Sequence, residues 1–158
     1  MAALTPKQVR ERVDNALNST AGFRRSRFTG YIFGSDPRQV MHGSYAVDVP
    51  TTNLNTGAVQ RQKTSEGLMA NTAVQVKVAG RYRPDAQRAD MDTLLTLEAS
   101  AVVAVEGISR TDLHILYEGA RRELSPASEF CFTTLTFRAI HRLPAQLSRI
   151  RRSSSPSS

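Results

Sequence analysis

The chain has a single cysteine, Cys131. It cannot close an internal disulfide, and a four-cysteine metal site is excluded. The histidines are few: His42, His114 and His141, scattered over three predicted strands. No pair stands at i, i+2 or i+4 beside a carboxylate, so the spacing that holds zinc is missing. Gly30, Gly34, Gly43, Gly57, Gly67 and Gly80 are isolated, with no G-x-G-x-x-G and no G-K-[ST] ending. A glycine-rich phosphate loop is therefore absent. No apolar run approaches the roughly 18 to 20 residues of a membrane span. The longest, Leu94 to Val105, is broken by Thr96, Glu98 and Ser100. The opening MAALTPKQVR lacks the basic start and apolar core of a signal peptide. The expectation is a soluble protein made in a reducing cytosol, with no membrane partner.

Enzyme chemistry finds little support. Cys131 alternates with core positions in a phenylalanine-rich stretch and reads as a small buried hydrophobe. No Cys-His-Asn or Ser-His-Asp pattern surrounds it. Asp85, Asp90 and Asp92 cluster at a predicted helix start, where the helix dipole accounts for carboxylates. The reading is a non-enzyme with no cofactor, no metal and no catalytic residues.

What is present is one domain's worth of chain. A length of 158 residues suits a single core, and 40% hydrophobic residues exclude wholesale disorder. We expect one domain over residues 1–145 and a disordered basic, serine-rich tail, RIRRSSSPSS at its end, over 146–158. The net charge is +7. Arg149, Arg151 and Arg152 lie in that tail, which leaves about +4 for the body, modest for a dedicated DNA-binding domain.

Local signals give the elements. Thr5, Pro6 and Gln8 form an N-cap, a first-turn proline and a capping-box partner. Val9, Val13, Ala16 and Leu17 then mark one face of a helix over 6–18. Phe28–Phe33 and Ser44–Val49 read as strands, with Pro50 ending the second. Residues 51–72 are polar and unpatterned, and predict a long loop. Val74–Tyr82 is a clear strand, with Val74, Val76 and Val78 on one face. A second helix opens near Pro84 and Asp85 and ends at Gly107. Its broad apolar face includes Leu94, Leu95 and Leu97, and alanine at Leu95 is expected to cost roughly 2 to 5 kcal/mol. Strands follow at 113–118 and 130–142, joined by a turn at 121–129. The order α-β-β-loop-β-α-β-β predicts an α+β fold: a mostly antiparallel sheet of about five strands, with two helices on one face. The aromatics Tyr45, Tyr82, Phe28, Phe33, Phe130, Phe132 and Phe137 exceed what one helix pair covers, which hints at a subunit interface. Arg61, Gln62, Lys63 and Glu66 in the loop, with Arg81 and Arg83 beside the second helix, are the expected partner or subunit contacts.

Four passages carry a resemblance to the tail terminator proteins of long-tailed bacteriophages. They are LTPKQVRERVDNAL, the strand HGSYAVDVP with the later RQKTSEG, the passage VQVKVAGRYRPDAQRADMDTLLTLEASAV, and FCFTTLTFRAIHRL. The resemblance implies a structural virion protein, made in the host cytoplasm and placed in the tail or neck. Such proteins form a hexameric ring that caps the tail tube, stops its polymerisation and meets the head connector. The implied partners are further copies of the chain, the tube protein, the neck proteins, and DNA crossing the channel without sequence specificity. Two alternatives stand beside it. One is another neck component, a head-closure or tail-completion protein. The other is a small nucleic-acid-binding protein using Arg149, Arg151 and Arg152.

Overall fold

The computed structural model describes residues 3–26, 41–54, 68–82, 88–125 and 129–144. Helix α1 spans Pro6–Asn18. Its capping box forms as the sequence predicts: the Thr5 hydroxyl accepts from the Gln8 N–H at 3.1 Å, and the Gln8 side chain accepts from the Thr5 N–H at 2.9 Å. Val9, Val13 and Leu17 are its buried stripe. A two-residue strand, β1 (Arg24–Arg25), follows. Then come β2 (Ser44–Leu54), β3 (Met69–Arg81), helix α2 (Arg88–Glu106), β4 (Leu113–Ser125) and β5 (Phe130–Arg142).

These strands make one sheet in the order β1-β2-β3-β5-β4. Only the short β1–β2 pair is parallel. Both helices pack on one face, and the fold is α+β. The core joins Val9, Val13 and Leu17 of α1 and Leu97, Ala101 and Val105 of α2 to the inward residues of every long strand. Val74, Val76 and Val78 are fully buried, as their alternation predicts. Cys131 is buried too.

Several elements run past their predicted ends. Pro50 does not stop β2: the strand continues to Leu54, pairing Thr51 with Ala73 and Leu54 with Ala70. The ladder shifts register between Asp48 and Thr51, a bulge that absorbs the proline's missing N–H. The predicted loop at 51–72 is thereby shortened from both sides, since β2 and β3 take residues 51–54 and 69–72. Residues 121–125, expected in a turn, extend β4 beyond a second shift between Tyr117 and Gly119. His42 lies in the turn before β2 rather than in a strand. The expected strand at 28–33, the start of the second helix at 84–85 and the tail lie outside the described residues.

The aromatics divide between the two faces of the sheet, with Phe130 and Phe132 on the side away from the helices and Phe28 and Phe33 outside the described residues. Tyr45 and Phe137 are fully buried in the core, and Phe130 and Phe132 pack with Ala46 and Ala79 in a second small cluster. Tyr82 is half-buried. Leu95 is corrected as well: it is 41% exposed, while Leu94 is 1% exposed. The helix has apolar residues nearly all round, so periodicity alone does not select its inner face. Leu94→Ala is expected to cost about 2 to 5 kcal/mol and Leu95→Ala less than about 1. Urea unfolding of the two variants measures this contrast.

Candidate functional site

Among the described residues, three polar clusters tie the helices and the segment before α1 to the sheet. In the first, Glu98 of α2 is only 5% exposed. Its carboxylate accepts from Arg122 Nε at 2.8 and 3.0 Å and from Arg122 Nη2 at 2.6 Å. The Thr133 hydroxyl donates a further bond at 2.7 Å. Arg122 reaches it because the β4 bulge sets it opposite Thr133 on the inner face. Hydrogen bonding to Glu98 raises the Arg122 pKa above its ordinary value. In the second, Arg12 of α1 grips Asp112 with bonds of 2.9 and 2.7 Å. That pairing holds the Asp112 carboxyl below its usual range.

The third is buried beneath the start of α1. His141 Nδ1 lies 2.9 Å from the Leu4 carbonyl. A carbonyl only accepts, so Nδ1 carries the proton. Nε2 of the neutral ring then accepts from the Thr72 hydroxyl at 2.6 Å, and Thr72 meets Thr52 at 3.1 Å. Burial pushes the His141 pKa below 6.5, against the opposing pull of its backbone bonds to Leu4 and Arg142. The unfolded chain therefore takes up a proton that the folded chain resists. Stability is complete above about pH 6.5 and declines as pH falls toward the lower folded-state value. His42, also lowered by burial, acts in the same direction. Urea unfolding between about pH 7 and about pH 5 is expected to show this loss, and His141→Gln to flatten much of it.

None of these clusters is poised for covalent chemistry. Burial raises the Cys131 thiol, which suppresses the thiolate. Burial also pushes Tyr45 up to about 12, and its hydroxyl donates to the Asp14 carbonyl at 2.9 Å. Among the described residues, no group of three His, Cys, Asp or Glu side chains is placed to hold a metal ion. No helix among them is long and apolar enough to cross a membrane.

The surfaces carry more. Strand β4 is the last in the sheet, and among the described residues it pairs along its length with β5 alone. Tyr117 and Leu124, both exposed, lie along it, Leu124 at 60%. Of the residues expected to touch partners, Arg81 ends β3. Its N–H donates to His42 Nδ1 at 2.9 Å, and it lines an open cleft with Arg24, Met41, Asp90 and Phe130. Arg61, Gln62, Lys63, Glu66, Arg83, Arg149, Arg151 and Arg152 lie outside the described residues.

Sequence reading missed Glu98, which stood only as an interruption in an apolar run. It also placed Arg121 and Arg122 in a turn rather than on opposite faces of β4. The signal for Arg138 was available: it falls out of phase with Leu135, Phe137 and Ala139 in a strand that alternates. No protein-family model and no curated protein matches the chain.

Proposed function

We propose that the protein is a structural subunit of a phage tail, a terminator that assembles as a hexameric ring, caps the tail tube and joins it to the head connector. The observation that supports this best is the β4 edge. It is a strand of 13 residues with exposed Tyr117 and Leu124, at the margin of the sheet among the described residues. Long edges that carry apolar side chains invite pairing, and a closed ring covers them. The element order and the four resembling passages agree with that role. The partners on this reading are neighbouring copies, the tube protein, the connector, and DNA passing through the ring.

Light scattering after size exclusion, over a concentration series with and without tube protein, tests the reading. Negative-stain images of the largest species should show six-fold rings with a central hole. Leu124→Lys should leave the fold intact, because the side chain is already exposed, and should shift the distribution to monomers. Monomers at every concentration, tube protein included, would overturn the reading.

A further inference from the structure

Helix α2 keeps apolar side chains on the side it turns to solvent. Leu95, Ala99 and Val103 are all exposed, Leu95 at 41% and Val103 at 71%. Spaced four apart, they stack into one stripe along the helix. A helix that is apolar on every side is normally buried on every side. Exposed Asp92 and Glu106 bracket the stripe, and after Arg88 the helix holds no Lys or Arg. Neither of these carboxylates stands in an ion pair among the described residues. The outward side of α2 is thus both apolar and acidic.

The outer face of the sheet, away from the helices, carries the opposite combination near the start of β4 and the end of β5. Register aligns Thr51, Ala73, Arg138 and Leu116 in one row there, and Asn53, Asn71, Ile140 and His114 in the next. Leu116 and Ile140 are half-buried, while Arg138 and His114 are exposed. Neither row holds a carboxylate, and Arg138 stands in no ion pair among the described residues. The far end of the same face is already filled, by Phe130 and Phe132 buried with Ala46 and Ala79. The open part therefore offers aliphatic anchors around an exposed cation. The two surfaces also match in length. Leu95 to Val103 spans about 12 Å along the helix, and Thr136 to Ile140 spans about 13 Å along β5. Neither surface suits itself. Two α2 stripes laid together set Asp92 against Asp92 or Glu106 of the other copy, and two outer faces laid together set Arg138 against Arg138.

We propose that α2 of one copy docks on the outer sheet face of a second copy, over Leu116, Arg138 and Ile140. The neighbour's helix supplies the layer that an open, partly apolar sheet face lacks. The contact is heterologous: each copy gives one surface and receives the other, so copies add in one direction and close into a ring where the rotation allows. The proposal rests on the assembly reading for that closure, and it adds to the β4 edge a second pair of surfaces.

Crosslinking of two full-length variants tests it. One carries Ala99→Cys, in the middle of the α2 stripe. The other carries Ala73→Cys, beside Arg138 in the β3–β5 ladder, and a tag that sets its size apart. The native Cys131 is buried, so the unaltered chain serves as the blank. A short bismaleimide added to the mixture should give the mixed dimer as the main product. Arg138→Glu in the second chain should lower its yield several-fold, and Asp92→Lys/Glu106→Lys in the first should restore it. A like-with-like dimer equal to the mixed one, no mixed dimer above the blank, or a yield indifferent to the charge changes would each overturn the proposal. Negative-stain images of the same mixture before crosslinking keep the two readings apart. Six-fold rings without the mixed dimer refute the α2 contact alone. The mixed dimer without six-fold rings refutes the hexamer and leaves the contact standing.

Discussion

Gly43→Ala is expected to be among the most damaging single-methyl changes in the chain. Gly43 has a φ of +84°, in the left-handed region that side chains disfavour. A Cβ there would also overlap the carbonyl oxygen of Gly22, a backbone atom that cannot rotate aside. The residue is pinned from both sides. Its N–H donates to the Ala79 carbonyl at 2.8 Å, and its carbonyl accepts from the Arg24 N–H at 2.9 Å. Relief of the overlap would break the stitch that joins the turn after α1, strand β1 and the end of β3. Backbone strain of about 1 to 3 kcal/mol and overpacking of about 1 to 3 kcal/mol together give roughly 2 to 6 kcal/mol. Against the typical 5 to 15 kcal/mol of a whole domain, that is a large share. Gly22→Ala is the control: its φ is +93°, yet nothing lies within 4 Å of the added methyl. It should cost only about 1 to 2 kcal/mol. Chemical denaturation of both variants measures the difference, and equal losses would refute the overlap argument.

Arg122→Ala carries the second large expectation. It strands the Glu98 carboxylate, 5% exposed, with Thr133 as its remaining partner of the cluster. Removing one member of a buried ion pair typically costs about 3 to 5 kcal/mol. The Arg122 side chain is 44% exposed, so water can partly take its place and the lower end of that range is expected. Replacing both partners by apolar residues of similar size, Glu98→Leu with Arg122→Met, should recover most of the loss. A double-mutant cycle from urea unfolding reads the coupling directly. A coupling near zero would mean that the pair does not hold α2 to β4 and β5.

The parts of the fold that were legible are those set by neighbouring residues. Thr5, Pro6 and Gln8 fix the start of α1, and the alternation of Leu135, Phe137 and Ala139 with Thr134, Thr136 and Arg138 marks β5. The parts that were not legible depend on residues far apart in sequence. Pro50 ends an isolated strand, but here the partner strand β3 carries β2 past it through a bulge. The second register shift, at Tyr117 and Gly119, puts the alternation of β4 out of step, so Arg121 and Arg122 read as a turn. Glu98 and Arg122 lie on different elements, and no local pattern announces their pairing. The same holds for the open part of the outer face. Leu116, Arg138 and Ile140 come from two strands and gather only when the register is known.

The position of β5 has a consequence for the chain as it is made. It is the last of the described elements in sequence, yet it lies between β3 and β4. A ribosome-bound chain that has not reached Phe130 holds β3 and β4 without the strand that joins them. The apolar residues Val74, Val76 and Val78 then have no ladder on that side. The β3–β5 pairing joins residues distant in sequence, a contact that forms slowly because loop closure precedes it. The sheet therefore closes only once β5 has been made, and a chain stopped short of β5 is left as an aggregation-prone fragment rather than a smaller domain.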